Sequence, residues 1–251
     1  MAPLPLSQRV WLQAMLAHGV VSQAHAKALQ KRACEITRDD YQAGSLPTLL
    51  EEVGKHLSSV GLEIRQARDE FTGAHLIMIV NAKGDELAQV ATTHSATEIA
   101  VTKKILERIF TNNDAYSLSS TEALKIGRQC KPPLGNAETE MLLSALVKEG
   151  WLRYNRDTGR YLLTSRSMME LNVYLKNAYP EHYFSCIMCE DPITNGVACS
   201  NAECRVRVHK HCQTSYERQI GISTREGQAS TCRGCQHTWS PSPVGEASVQ
   251  R

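Results

Sequence analysis

Cys186-Ile-Met-Cys189, Cys199-Ser-Asn-Ala-Glu-Cys204, His209-Lys-His-Cys212 and Cys232-Arg-Gly-Cys235 place eight metal-seeking donors in about one fifth of the chain. Two intervening residues let both side chains of a pair turn toward one ion over a tight backbone knuckle. Four pairs supply two tetrahedral sites with no position left for water, which is the pattern of structural zinc and not of a hydrolytic catalyst. The four pairs can combine into two sites in three ways, and spacing alone does not choose among them. The segment holds few large apolar residues, so its folding is expected to depend on metal. His209 is the expected imidazole ligand, because His211 adjoins Cys212 and cannot easily share its knuckle. His237 follows the last knuckle and reads as a surface residue. Cys34 and Cys130 stand alone and read as packing thiols.

Outside this segment the 251 residues are ordinary globular material. Hydrophobic residues make up 42%, and the formal net charge is +2. Wholesale disorder, an acidic tail protein and a strongly basic nucleic-acid coat are disfavoured. No apolar run approaches the ~20 residues needed to cross a bilayer. Gln8, Arg9, Gln13 and His18 interrupt any apolar stretch at the N-terminus, so no signal peptide is expected and a reducing compartment is the default. Thiols concentrated this way in such a compartment bind metal rather than each other.

Upstream, the periodicity predicts three helices and a hairpin, twice. Helices are expected over Gln8–Ala17, from Ser22 to Cys34 and after Pro47, with strands at 62–68 and 75–80. In the second round, Ser95 with Glu98 and Ser119 with Glu122 have capping-box spacing. Met141, Leu142, Ala145 and Leu146 mark the third helix, and strands at 151–154 and 161–164 flank a turn containing Asp157, Thr158 and Gly159. Ser167 is the expected cap of a last helix. Residues 240–251 are short of large apolar side chains and are expected to be disordered. The organisation is thus 1–90, 91–179, 180–239 and a tail, 240–251.

This element order, and the junction Leu146-Val-Lys-Glu-Gly-Trp-Leu-Arg-Tyr154 before Arg160-Tyr-Leu-Leu163, resembles the winged-helix family. The expected fold is therefore mainly α with small β wings, in tandem winged helices followed by a zinc domain. The candidate recognition helix, Ala137–Glu149, carries three Glu and one Lys, and its acidic face would repel phosphates. Residues 1–180 hold 21 Lys plus Arg against 19 Asp plus Glu. The helices are expected to hold protein partners. Arg153, Arg156 and Arg160 on the second wing offer at most weak, non-specific DNA contact.

The order of four Cys, one His and three Cys resembles the RING and PHD families. Both interleave their pairs, which implies one site from Cys186, Cys189, His209 and Cys212 and another from Cys199, Cys204, Cys232 and Cys235, with two Zn2+. Ser230 stands where a PHD finger commonly has Trp. A RING docks a ubiquitin-conjugating enzyme in a shallow groove, for which Ile187, Met188 and Tyr216 are the candidates. Arg233 and Gln236 depart from the Pro and the cation that active RINGs often carry.

Winged helices followed by this RING variant, with Phe184-Ser-Cys-Ile-Met-Cys-Glu-Asp-Pro192 and Val208-His-Lys-His-Cys212, resemble the non-SMC element 1 family. The resemblance implies a nuclear, chromosome-associated subunit with a MAGE-family partner bound through the winged helices and a kleisin partner. It also implies partner-stimulated E3 ubiquitin-ligase activity, with roles in homologous recombination and telomere maintenance. A non-catalytic structural subunit and a DNA-binding regulator remain the alternatives. No catalytic nucleophile is expected, since the clustered thiols are consumed by zinc.

Overall fold

The computed structural model describes residues 3–81, 94–222 and 230–249. It divides into two compact units, 1–69 with 74–86 and 70–73 with 87–251.

In the first unit, α1 (Leu6–His18), β1 (Val20–Ser22), α2 (Gln23–Thr37), α3 (Leu46–Ser58), β2 (Leu62–Arg68) and β3 (His75–Asn81) follow in order. Ser22 caps α2 by accepting from the His25 N–H, and Gly19 ends α1 at φ 71. α3 buries Leu46, Leu49, Leu50, Val53 and Leu57 on one face, the stripe expected of a 3.6-residue period. These pack with Trp11, Met15, Val21, Ile77 and Ile79. The Trp11 indole N–H donates to Ala26 O at 3.1 Å. β3 lies between β1 and β2, with β2 paired from Leu62↔Asn81 to Arg68↔His75. That is the winged-helix order.

The second unit repeats it with α4 (Ala96–Phe110), β4 (Ser117–Ser119), α5 (Ser120–Gln129), α6 (Asn136–Lys148), β5 (Leu152–Asn155) and β6 (Arg160–Leu163). Both expected capping boxes form, Ser95 with Glu98 and Ser119 with Glu122. α5 and α6 meet at Gly127, where a Cβ would come within 2.1 Å of the Thr139 hydroxyl, so only glycine permits the approach. The last helix departs from expectation. It starts earlier, as α7 (Ser165–Glu170), because Thr164 is the cap that accepts from Ser167 N–H. It then breaks at Leu171 before α8 (Asn172–Ala178).

The cysteine-rich segment adds β7 (Gly196–Cys199), β8 (Arg207–His209) and α9 (Lys210–Gln219). The tail expected to be disordered instead forms β9 (Pro241–Val244) and a 3-10 turn at Glu246–Ser248, and β9 completes the sheet β8-β7-β9. The physical reason lies in register. Ser242 and Val244 pair with Ala198 and Gly196, so Pro241 and Pro243 carry their missing N–H groups on the outer edge, where no donor is needed. Val244 is fully buried, and Val244 and Ala198 join the core built by Ile105, Leu106, Ile109, Leu142 and Leu146. Glu246 accepts from Asn155 and Thr158 on the second wing. Among the described residues no helix is long and apolar enough to cross a membrane.

Candidate metal centre

Each terminal knuckle closes on itself. The N–H of Glu190 donates to Cys186 O at 2.8 Å, and that of Gln236 to Cys232 O at 2.9 Å. Glu190 and Gln236 both take the left-handed conformation, at φ 65 and 61. The two Cys-x2-Cys turns are therefore the same device used twice. β7 and β8 carry Cys199 and His209 at their ends, and the first turn of α9 carries Cys212.

The donors converge in two sets, Cys186, Cys189, His209 and Cys212 in one and Cys199, Cys204, Cys232 and Cys235 in the other. Within each set all ligand atoms lie within 4.8 Å of one another. This is the interleaved grouping, one of the three that the spacing allowed. The Sγ–Sγ separations for Cys199–Cys235 and Cys204–Cys232 are both 3.7 Å. Tetrahedral zinc with Zn–S near 2.3 Å has sulfur–sulfur edges of about 3.8 Å. The second set thus has the dimensions of a closed tetrahedral site, and three sulfurs with one imidazole suit the same ion in the first. His209 Nδ1 lies 3.2 Å from Cys189 Sγ, facing the sulfurs.

Charge supports the same conclusion. The Cys186 thiol is held down at about 3, chiefly by the hydrogen bond from Cys189, whose own thiol is driven up by that bond. Cys235 is lowered to about 6 by the His237 backbone N–H, while burial pushes Cys199 up to about 12. Thiolates this close cannot all ionise on their own. A divalent cation in each set would supply the compensating charge and hold that set's four ligands deprotonated. Its chemistry there would be structural, tying the knuckles and the start of α9 together.

Not every candidate stands where expected. Ile187 is 43% exposed on the first knuckle, and Met188 is half-buried against the cluster. Tyr216 is a correction. It is 0% exposed, its hydroxyl donates to Cys232 Sγ at 3.7 Å and accepts from Arg233 N–H at 3.2 Å, and its ring meets Trp239 edge-on at 4.8 Å. Position +4 from Cys212 turns the ring inward, under the second metal set, so it cannot line an open groove. His211 stacks on His209 with ring centroids 4.9 Å apart, and His237 is exposed. Cys34 and Cys130 are buried outside both sets. On the second wing the Arg153 guanidinium lies 4.6 Å over the Phe71 ring, and Arg160 donates to Ser117.

Sequence reasoning missed Glu70, which lies in the turn after β2 and groups with the second unit. Its carboxylate is buried beside Thr194, Asn195 and His209, and burial pushes its carboxyl above the ordinary range. No spacing rule connects a turn residue to a ligand 139 positions later, so the sequence carried no signal for it.

Residues 8–171 match the family described as the Nse1 non-SMC component of the SMC5-6 complex. The chain belongs to the Nse1 family. Residues 186–235 also match the RING-like domain family. Nse1 relatives described as non-structural maintenance of chromosomes element 1 homologs include those of Xenopus laevis and Homo sapiens. Each is 25% identical to this chain, over 93% of it and 82% of the frog protein, and over 83% of it and 77% of the human protein. The Schizosaccharomyces pombe Nse1 relative is 26% identical over 71% of this chain and 75% of its own length. A solved chain from an Nse1-Nse3-Nse4 complex superposes with a TM-score of 0.83. It is 24% identical and covers 95% of this chain and 98% of that one, which establishes a shared fold.

Proposed function

We propose that this Nse1-family chain is a zinc-dependent RING-type E3 ubiquitin ligase subunit of an SMC5-6 complex, nuclear and chromosome-associated. In this reading it acts in DNA repair by homologous recombination. The winged helices hold a MAGE-family partner, with a kleisin subunit in the same assembly. The observation that carries the reading is the pair of interleaved donor sets with Ile187 exposed on the first knuckle. A docking platform of this kind needs no nucleophile. It raises the effective concentration of a charged conjugating enzyme beside its acceptor lysine and favours the reactive geometry. The likeness to a chain from an Nse1-Nse3-Nse4 complex supports the partner assignment.

The test is discharge of a ubiquitin–conjugating-enzyme thioester by the full chain, alone and with its MAGE-family partner. Losing an interface anchor costs ~1–2 kcal/mol, so Ile187→Ala should slow discharge about tenfold while zinc content is unchanged. No discharge above a Cys189→Ala control, with or without the partner, would remove the catalytic reading.

A second reading, a non-catalytic interaction module, is favoured by Arg233 and Gln236. The Arg233 guanidinium is committed to Gln219 Oε1 at 2.7 Å. In that case Ile187→Ala leaves complex assembly and repair intact. A DNA-reading role is weaker still, given Arg153 on Phe71 and the acidic Glu138 and Glu140 exposed on α6.

A further inference from the structure

We infer that Glu70 is the positioning residue of the Cys186, Cys189, His209 and Cys212 set: its buried carboxylate fixes the tautomer and orientation of the His209 ring. The inference rests on the metal reading of that set and not on ligase activity.

Glu70 is 5% exposed. One carboxylate oxygen accepts from the backbone N–H groups of Thr194 and Asn195, both at 2.7 Å, and the Thr194 hydroxyl donates to the carboxylate at 3.1 Å. Asn195 Nδ2 returns a bond to Glu70 O at 3.3 Å. A carboxylate with this many donors in so dry a place is held by design of the loop and not by accident of packing. The loop it clamps, 192–195, presents the Pro192 carbonyl 3.3 Å from His209 Nε2. The Glu70 oxygen itself lies 3.8 Å from the same nitrogen. Both neighbours of Nε2 are acceptors, so the ring proton belongs on Nε2. The lone pair of Nδ1 is then left facing Cys189 Sγ at 3.2 Å.

A ligating imidazole is commonly held by a carboxylate or carbonyl on its far nitrogen, which fixes the tautomer and strengthens the ligand. Here both are present, and the carboxylate comes from a turn of the first hairpin rather than from the zinc segment. Gly73, in the same turn at φ +71, has space for no more than a contact with His211, 3.5 Å from where a Cβ would stand. The turn thus lies against both histidines of the His209-Lys-His211 step.

Two measurements test this on the full zinc-loaded chain. Long-range 15N–1H spectra of the histidines should show His209 with metal on Nδ1 and a downfield Nε2 proton. That readout needs no variant. Metal on Nε2 would overturn the inference, even if folding is normal. In Glu70→Gln, which keeps the volume and removes the charge, one of the two zinc ions should pass to a chromophoric chelator about ten times faster or more, the other at the wild-type rate. The Nε2 proton should move upfield in parallel. Two wild-type rates with an unmoved Nε2 resonance would refute the role. Absence of zinc from the wild-type chain would instead refute the metal reading beneath it, so the two failures are distinguishable.

Discussion

Val244 is the residue on which the ordered tail depends, and truncating it gives the most direct check on the fold. Its side chain is fully buried in the core of the second winged helix, while its backbone pairs with Gly196. Val244→Ala removes two methyl groups, each worth about 0.8 kcal/mol of transfer free energy, and leaves a small cavity. The expected cost is about 2 kcal/mol. At ~2–4 °C per kcal/mol for a body of 150–250 residues, the thermal midpoint should fall by about 4–8 °C. Differential scanning calorimetry at saturating zinc reads this directly. Val249→Ala, at a 43% exposed position five residues on, is the control and should change stability by less than about 0.5 kcal/mol. Hydrogen exchange adds a local readout. The Gly245 N–H, which donates to Asp114 O at 2.6 Å, should be protected in the wild type and exposed in the variant. Equal midpoints for wild type and Val244→Ala, with a freely exchanging Gly245, would refute the docked tail and restore the expectation from composition.

Gly196→Ala should be more damaging than its size suggests. The new Cβ would stand 2.3 Å from Val208 O and 2.9 Å from Ile193 Cδ1, so β7 and β8 must part, costing about 3 kcal/mol or more; urea titration reads the loss. Glu98→Ala should cost about 0.5–1 kcal/mol at neutral pH through loss of the α4 capping box. The bond from the Ser95 backbone N–H holds the Glu98 carboxyl below its ordinary value of 4.5. Its contribution is therefore present above pH 4.5 and lost as pH falls through the lower folded value, so the gap between variant and wild type should close in acid. Native mass spectrometry should find two zinc ions per chain, and a strong chelator should melt the signals of residues 186–239 while those of α1 to α3 persist.

The parts legible in the sequence were those governed by local rules. Ser95 with Glu98 and Ser119 with Glu122 announce helix starts because a cap is a bond across three residues. Leu49, Leu50, Val53 and Leu57 announce a buried face because a helix repeats every 3.6 residues. The eight donors were legible because a knuckle fixes its own spacing. β1 and β4 were not, since each is three residues long and too short for alternation to register. Thr164 was passed over for Ser167, both being good caps; the Thr164 hydroxyl also bonds Gly150 O at 2.6 Å, a contact only the tertiary fold supplies. The tail misled because composition averages over residues. The other eleven positions of 240–251 conceal the one valine that is buried, and two prolines read as breakers until their edge register is known. Tyr216 misled for the opposite reason: its spacing from Cys212 was right, but spacing along a helix says nothing about which side the metal occupies.

The second winged helix and the cysteine-rich segment share more than a chain connection. Ala198 and Val244 sit in the winged-helix core, the Tyr116 hydroxyl donates to His182 O at 2.8 Å, and Arg207 pairs with Asp114 at 3.2 Å. Arg207 is buried and its guanidinium also lies 4.4 Å over the Phe184 ring, while the Asp114 side chain is 44% exposed, so the contact is fixed from the arginine side. Removing Asp114 would leave the buried Arg207 guanidinium without its carboxylate partner, which is the costly way to break such a contact. An isolated zinc finger on a flexible linker could turn Ile187 in any direction. Here the direction is set by packed side chains, which interconvert between discrete arrangements and do not bend continuously. A partner that grips the second winged helix therefore sets the heading of the first knuckle as well. Stimulation of a ligase by such a partner would need no signal passed along the chain; holding the winged helix already orients the platform.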